Sequence, residues 1–499
     1  MNSESDNFSK SSTLKKTLKS IIILCASQVA TTLVAIIRNK VLAVILGPSG
    51  VGLIAQLTTA QNFISSVVPM GMQVGTISQL CQLKSQSLIA QCIATSQKVF
   101  FWLSMITTVV CLIFIKPITS ITLGTNEFFL YMIPMLLGVP FLIQSNVWQS
   151  YLLANLEIKI YSKIGILTSF IGLIIVVPMV LIWGLWGAII NVLFIAAINY
   201  IIYAIYANKT ISTSLKAEIK SAPFNVETFK ILRRFGWANL PVLALDLGIP
   251  FLIRIQIIRD LGLTSNGIYQ AVLAISGALL TMPFNALTTY SFPTLSKLSD
   301  YREINGEVNT FSRLLLLICT FSCLIVLLFK DMAVQLLFSP KFFLAVGLLS
   351  WQVIGEFFKI VAMAIQLPLQ PKERFKARNI INTLQKVVFI IILYLPPAAM
   401  RLEGAVWGYA ASWFFTLFTA YLYTNRVNGF TFTRTNWRLF LTGTIAIFII
   451  AFLPLSEMRW RIGGVILATF WTVTALSLRE WQVFLRESKY RITKIISNA

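Results

Sequence analysis

The 499-residue sequence contains no histidine. It therefore lacks the side chain on which most catalytic triads and zinc sites depend. It also lacks the G-x-x-x-x-G-K-[ST] motif of a phosphate-binding loop. The six cysteines lie mostly within or beside apolar segments and lack the paired spacing of metal ligands, which is typical of small core residues. We therefore predict no catalytic residues, no metal and no cofactor.

Charge is also scarce, since only 12% of the residues are charged, whereas 57% are hydrophobic and the mean hydropathy is +0.79. Water could not solvate such a surface, so the composition predicts an all-α polytopic membrane protein. Apolar spans of about 20 residues can be placed at 20–46, 51–77, 95–118, 128–152, 163–183, 185–207, 232–258, 266–290, 311–337, 343–369, 378–398, 404–424, 437–455 and 460–478. The sequence thus predicts about fourteen transmembrane helices.

The charges that remain are mostly basic, with 41 Lys and Arg against 18 Asp and Glu. If the N-terminus lies inside, most basic residues fall in short inside loops and in the C-terminal tail, which predicts that both termini are cytoplasmic. No small-residue cleavage site follows the first basic residues, so we expect the first span to be an uncleaved anchor. The net charge of +23 then reflects topology and attraction to anionic membrane lipids. Nucleic acid is not an expected partner, because no basic and aromatic module stands apart from the spans.

A short sequence pattern occurs twice. Residues 261–267 (LGLTSNG) repeat the pattern of residues 46–52 (LGPSGVG), and each copy follows the first predicted helix of its half of the chain. Glycines at these positions allow a positive φ and a close approach of backbones, as a tight turn between helices requires. The repeat predicts two parallel six-helix lobes related by a pseudo-two-fold axis along the membrane normal, with alternating access between them.

The predicted organisation follows from these spans and from the polar stretch near the middle of the chain. It comprises a cytoplasmic N-terminal tail (1–19), an N-lobe (20–207), a cytoplasmic linker (208–231), a C-lobe (232–424), an extra helix pair (437–478) and a basic cytoplasmic tail (479–499).

Among the ionisable residues of the predicted spans, we select seven as functional candidates: Arg38, Lys40, Asp246, Arg254, Glu356, Lys359 and Lys386. Charges at membrane depth are costly, so they usually face a hydrated cavity or a partner and mark a transport path. Most of the seven are basic, which suggests an anionic cargo.

We assign different roles to these charges. Arg38, Lys40 and Arg254 suit a diphosphate, because arginine offers it a bidentate fork and lysine a point charge; snorkelling to the membrane surface is the alternative. Lys386 could likewise bind cargo or reach the cytoplasmic surface. A second group follows from position near the middle of spans. It consists of Asp246, a candidate for coupling or gating, and the pair of Glu356 and Lys359. The spacing of Glu356 and Lys359 predicts an ion pair on one helix face. Of these two, Glu356 is a candidate for coupling or gating and Lys359 for cargo binding.

Interior amides form a further candidate set. They could line a hydrated cavity for sugar hydroxyls or hold helices together, and they include Gln28, Gln61, Asn62, Asn146, Asn191, Asn199 and Gln270.

Several weak motifs in a particular order resemble a known family. They are residues 40–52 (KVLAVILGPSGVG), Arg254 ahead of residues 267–270 (GIYQ), residues 292–298 (FPTLSKL), and Lys330-Asp331 leading to residues 351–359 (WQVIGEFFK). Over about residues 20–425 the chain resembles the Wzx-type O-antigen translocases and the enterobacterial common antigen lipid III flippases. Their superfamily also holds the lipid II flippases and the multidrug exporters of the MATE type.

The resemblance implies a cargo and a location. The cargo would be an undecaprenyl-diphosphate-linked oligosaccharide, moved across the inner membrane of a Gram-negative bacterium through a cationic cavity between two lobes. The polymerase and the chain-length regulator of the same pathway would be possible partners. Lys40, Arg254, Glu356 and Lys359 match family positions, whereas Tyr269 stands where tryptophan is common and the two spans beyond residue 425 exceed the family's usual twelve.

Two other functions compete with this one. A MATE-like cation antiporter would need carboxylates in its cavity, but the acidic residues of the first lobe and its N-terminal tail, Glu4, Asp6, Glu127 and Glu157, all lie outside the spans. A membrane polysaccharide polymerase or ligase would commonly carry a large periplasmic loop, and the longest predicted outside loop has only about a dozen residues.

Overall fold

The computed structural model describes residues 2–296, 300–369, 375–454 and 457–475, and every regular element within these ranges is helical. The α-helices are α1 (Asn2–Val67), α2 (Met72–Gln82), α3 (Gln86–Ile113), α4 (Ile115–Leu123), α5 (Phe129–Ala154), α6 (Ile158–Thr210), α7 (Thr213–Ser221), α8 (Val226–Ser296), α9 (Tyr301–Leu328), α10 (Lys330–Leu337), α11 (Ala345–Gln366), α12 (Phe375–Tyr394), α13 (Arg401–Asn428), α14 (Arg434–Phe452) and α15 (Met458–Thr474). Short 3-10 turns lie at Pro340–Phe342, Leu367–Leu369 and Ala398–Met400. The predicted basic tail at 479–499 lies outside the described residues.

Three of these helices are bent by a single glycine. Gly47 in α1, Gly184 in α6 and Gly262 in α8 have φ values of 66°, 56° and 82°, in the region that favours glycine. Each long helix therefore consists of two helices that meet at the glycine. The turns predicted at Gly47 and Gly262 are confirmed.

Nine helices in the described ranges are long and apolar enough to cross a membrane. They include the bent helices α1, α6 and α8, each of which is far longer than one bilayer crossing requires. The chain is thus an all-helical, multi-pass membrane protein. The count of fourteen spans stays a prediction.

Some predicted spans contain a break that hydropathy did not reveal. Residues 51–77 were predicted as one span, but α1 ends at Val67 and α2 begins at Met72, with Met70 and Gly71 at φ values of 53° and 76°. Pro69 lacks the amide hydrogen that a continuing helix would use. The apolar composition runs on across the break, so a hydropathy pattern cannot locate it.

Two further breaks are of the same kind. The predicted span 95–118 is divided between α3 and α4 at Phe114, and 311–337 is divided between α9 and α10 at Phe329. Lys116 and Pro117 follow the first junction, and Lys330 and Asp331 follow the second, so local polar residues and a proline mark both breaks although the mean hydropathy of each span hides them.

The helix pair at the end of the chain packs on the second half of the molecule. The Phe440 ring of α14 stacks on Phe357 of α11 with the centroids 5.9 Å apart. Asn436 Nδ2 donates to the Asn309 carbonyl oxygen of α9 at 2.8 Å. An apolar stack and a buried polar contact therefore hold α14 against α9 and α11.

Candidate functional site

The two glycine turns of the repeat meet in space. A Cβ atom on Gly52 would lie 2.0 Å from the carbonyl oxygen of Leu263, and one on Gly267 would lie 1.9 Å from that of Pro48. No side chain fits at either place, so the backbones themselves are in contact. The contact is reciprocal, because Gly52 and Gly267 are equivalent in the repeat, and so are Pro48 and Leu263.

Arg254 is fixed beside this contact. Its Nη1 donates to Asn266 Oδ1 at 3.0 Å, its Nη2 donates to Gln270 Oε1, and its guanidinium lies 5.6 Å from the centre of the Tyr269 ring. Asn266 Nδ2 in turn donates to the carbonyl oxygen of Gly52 at 2.7 Å. Only 5% of Arg254 is exposed. This buried arginine therefore fixes the position of Asn266, which in turn bonds to the other glycine turn.

Arg38 has different surroundings. It lines a cavity of about 560 Å³ between α1 and the part of α8 that follows Gly262, together with Gln28, Thr31, Thr32, Asn39, Ser169 and small or aliphatic residues. Its side chain is exposed in that cavity, and no described residue accepts a hydrogen bond from it or forms an ion pair with it. The two arginines predicted as a matched pair are therefore not equivalent, since Arg38 is available to a ligand and Arg254 is engaged.

Lys40 is half-buried and reaches away from that cavity. Its Nζ donates to the carbonyl oxygen of Gln335 at 2.7 Å, near the end of α10. A cation is favoured there, because the last carbonyls of a helix carry partial negative charge. The contact joins α1 to α10.

Glu356 and Lys359 form the ion pair that their spacing predicted, with Nζ and Oε2 at 3.2 Å. The Tyr409 hydroxyl donates to Glu356 Oε1 at 2.7 Å. Glu356 is buried and Lys359 is largely buried. The pair lies within the second half of the chain, and neither residue lines the Arg38 cavity.

Asp246 and Lys386 also form an ion pair, with Oδ1 and Nζ at 2.5 Å. Sequence reasoning treated them separately, and no spacing signal could have joined residues of α8 and α12. About half of the Asp246 side chain is exposed, and its role in coupling or gating stays a prediction. Lys386 is mostly buried against its partner and does not line the Arg38 cavity.

The structure adds an ion pair that the sequence analysis missed. Arg401 Nε donates to Asp260 Oδ2 at 2.6 Å and its Nη1 donates to the carbonyl oxygen of Leu393 at 2.6 Å. Gln256 Nε2 donates to both carboxylate oxygens of Asp260 at 3.0 Å. The sequence shows only that Arg401 and Asp260 have opposite charges and lie near the ends of predicted spans. Those facts do not indicate that the two residues pair with each other.

Lys330, between α9 and α10, is a second anchor that was missed. Its Nζ donates to Ser350 Oγ at 2.9 Å and to the Ala451 carbonyl oxygen at 3.3 Å. Lys330 thus ties the start of α10 to α11 and α14.

The interior amides divide into two groups. Gln61 Nε2 donates to the Met135 carbonyl oxygen at 2.9 Å and Gln270 accepts from Arg254, so both hold helices together. Asn62, Asn146 and Asn199 instead line a second cavity of about 340 Å³. Gln28 lines the Arg38 cavity, and Asn191 is buried with no partner for its Oδ1 among the described residues.

Comparisons with known proteins place this geometry in context. A family model described as "Polysaccharide biosynthesis protein" matches residues 41–347. A protein named lipid III flippase from Escherichia coli (strain K12) is 24% identical over 405 residues, which cover 77% of this chain and 93% of that protein.

Two solved structures share the fold. The structure of a lipid II flippase in an inward closed conformation superposes with a TM-score of 0.73 at 12% identity, covering 93% of this chain and 99% of the flippase. An inward-facing MATE family multidrug resistance transporter of the MOP superfamily gives a TM-score of 0.70 at 12% identity, covering 82% of this chain and 98% of the transporter.

Proposed function

We propose, on the premise that this chain belongs to the polysaccharide biosynthesis protein family whose model matches more than half of it, that it is a flippase. Its cargo is an undecaprenyl-diphosphate-linked oligosaccharide of the O-antigen or enterobacterial common antigen type. It carries this cargo across the bacterial inner membrane and is a transporter, not an enzyme. The name of the E. coli relative, lipid III flippase, supports this assignment.

The observation that carries the proposal is the Arg38 side chain, which lines its cavity without a hydrogen-bond or ion-pair partner among the described residues. A charge at membrane depth without a partner is unfavourable, and a bound anion would relieve that cost. A guanidinium can donate two parallel hydrogen bonds to a phosphate, and each such bond is charge-assisted. The hydroxyls of Thr31 and Thr32 and the amide of Gln28 supply neutral polar groups around it. Arg38 is therefore our candidate for the diphosphate contact.

We further propose that residues 20–207 and 232–424 form two six-helix lobes related by a pseudo-two-fold axis, within a protein of fourteen spans. The reciprocal contacts of Gly52 with Leu263 and of Gly267 with Pro48 support this arrangement, because equivalent residues meet in this way when they lie on a two-fold axis. The linker 208–231 would then be cytoplasmic and contain α7, the tail 1–19 would be cytoplasmic, and the pair 437–478 would extend the second lobe.

The same arrangement gives the glycine contact a role in alternating access. With the N-terminus inside, Gly52 and Gly267 lie at the outer face, so their contact is the outer closure that must open to release cargo. Arg254 and Lys40 stabilise the closed face through Asn266 and Gln335 and do not bind cargo directly. Lys359 and Lys386 neutralise Glu356 and Asp246, and these pairs shape the second lobe.

A MATE-like cation antiporter is the competing function, and the fold is compatible with it. Neither cavity is lined by a carboxylate among the described residues, whereas the positively charged guanidinium of Arg38 lines the first cavity. That electrostatic pattern favours an anionic cargo. Membrane lipids and the polymerase and chain-length regulator of the same pathway are the partners that the proposed function implies.

Reconstitution into proteoliposomes tests the proposal. The vesicles would contain undecaprenyl-diphosphate-linked oligosaccharide with a fluorescent label, and its appearance in the opposite leaflet would be measured with a membrane-impermeant quencher. We expect protein-dependent flipping that Arg38→Ala slows. Proton-driven ethidium exchange without flipping of the labelled lipid would instead identify a cation antiporter.

A further inference from the structure

Most of the residues that line the second cavity have uncharged polar side chains. They come from α1, α2, α5, α6 and α8 and are Asn62, Ser65, Ser66, Gln73, Ser145, Asn146, Gln149, Asn199 and Asn239. Its volume of about 340 Å³ is within the range of small-molecule sites, roughly 300–1,000 Å³. No charged residue is among the described residues that line it.

Several of these amides are not used to hold the protein together. The carboxamides of Asn62, Asn146 and Asn199 make no hydrogen bond to any described residue, and each has exposed surface in the cavity. Gln61, the neighbour of Asn62 in the chain, shows the contrast, because its amide donates to Met135 on another helix. The donors and acceptors of the three asparagines thus remain available to a ligand.

The chemistry of this lining selects an uncharged, hydroxyl-rich ligand. A carboxamide offers two donors and an acceptor with two lone pairs, which matches the hydroxyl and acetamido groups of sugars. A phosphate would find no cation among the described lining residues. Apolar side chains, including Leu142 and Leu243, lie beside the amides and could pack against the C–H face of a sugar ring.

The cavity also joins the two halves of the chain. Asn239 and Leu243 belong to α8, whereas most of the lining belongs to α1, α2, α5 and α6. A Cβ atom on Gly71 would lie 2.9 Å from the Asn239 Cβ, so the break between α1 and α2 packs directly on α8. A ligand in this cavity therefore contacts both halves, and any movement between them would change its contacts.

We infer that this cavity is the saccharide subsite of the transporter and binds uncharged sugar residues of the cargo, separately from the diphosphate contact at Arg38. The inference rests on the proposed function and deepens it. It assigns recognition of the sugar to Asn62, Asn146 and Asn199.

The test compares two fluorescent lipids in the same proteoliposomes. One is undecaprenyl diphosphate carrying a single N-acetylglucosamine, and the other carries a neutral trisaccharide. For Asn146→Ala/Asn199→Ala we expect the flipping rate of the trisaccharide lipid, relative to that of the monosaccharide lipid, to fall about tenfold, as loss of one or two neutral hydrogen bonds predicts. Because both rates come from one sample, their ratio does not depend on the fraction of folded protein.

Gln144→Ala is the matched control, since this amide of α5 donates to the Gln97 carbonyl oxygen and does not line the cavity. Its ratio should equal that of the wild type. If the double variant has too little activity to measure, the single variants Asn146→Ala and Asn199→Ala provide the ratio. An unchanged ratio in these variants overturns the inference and leaves the proposed function intact, whereas a wild-type protein that flips neither lipid overturns the proposed function itself.

Discussion

Arg38 and Arg254 occupy similar positions ahead of the two glycine turns, yet their environments differ. Arg254 is 5% exposed and is held by Asn266 and Gln270, whereas Arg38 lies exposed in a cavity without a partner among the described residues. A repeated sequence pattern can thus place two like charges at similar depths and give only one of them to a ligand.

The cause of the difference is visible in the repeat itself. When residues 46–52 are aligned with 261–267, Asn266 corresponds to Val51 and Gln270 corresponds to Ala55. Valine and alanine cannot accept a hydrogen bond through their side chains. In the same alignment Arg254 corresponds to Asn39, so Arg38 lies one residue earlier and points to a different side of its helix. The hydrogen bonds of Arg254 to Asn266 and Gln270 stabilise the contact between the halves, and Arg38 has no such bonds among the described residues.

The largest effect should come from filling the contact that both arginines flank. Gly52→Ala and Gly267→Ala each place a methyl group about 2 Å from a carbonyl oxygen, so the glycine contact cannot form as observed. We expect flipping to fall by about 5- to 150-fold or more, since overpacking of this kind costs about 1–3 kcal/mol or more.

Gly165→Ala is the control for these variants, because no atom lies within 4 Å of a Cβ built there. It should flip at the wild-type rate. Normal flipping by Gly52→Ala would mean that this contact is not part of the transport cycle.

Removing the free arginine should affect transport without affecting folding. Arg38→Ala loses the charge-assisted hydrogen bonds to the diphosphate, and at about 1.5–3 kcal/mol for bonds to a charged group the flipping rate should fall about 10- to 100-fold. Arg38→Lys keeps the charge without the fork and should give an intermediate rate. The melting temperature should stay at the wild-type value, and a large drop in it would identify Arg38 as a structural residue.

Removing the clamped arginine should do the opposite. Arg254→Ala leaves Asn266 and Gln270 without their donor, and unsatisfied buried groups cost about 1–3 kcal/mol each. We expect a lower melting temperature in detergent, together with a weaker outer closure. A variant with wild-type stability and a selective loss of cargo binding would restore Arg254 to the role of a cargo ligand.

The smallest effect is expected from the ion pair of Asp246 and Lys386, because one of its two side chains is half exposed. Lys386→Met removes the partner of Asp246, whose side chain is half exposed, and such pairs contribute about 1 kcal/mol or less. We predict a small loss of stability and less than about a threefold change in flipping rate. Loss of a proton-gradient dependence in Lys386→Met or Asp246→Asn would instead return this pair to a coupling role.

The sequence predicted what depends on local pattern. Hydropathy indicated the multi-pass helical class, glycine chemistry predicted the turns at Gly47 and Gly262, and the spacing of Glu356 and Lys359 predicted their ion pair. These features are fixed by residues close together in the chain. They can therefore be inferred without knowing the fold.

Features that depend on distant residues could not be predicted in this way. The pairs Asp246–Lys386 and Arg401–Asp260 join separate helices, and no spacing rule links their members. The break at Gly71 falls within a continuous apolar run. The sequence did contain an indication that Arg254 is engaged, because Asn266 and Gln270 align with the apolar Val51 and Ala55 of the first copy. That difference is recognised only when the two copies are compared at positions other than the glycines.

The glycine contact has an energetic consequence for a carrier that must reopen in every cycle. Two bare backbones meet at Gly52 and Gly267, and a single amide hydrogen bond from Asn266 crosses between them. No flexible side chain has to be ordered at the glycines when this face closes, so the entropic cost there is low. The less entropy that closing this face costs, the smaller is the binding energy that a cargo must supply to shift the equilibrium between the closed and open states.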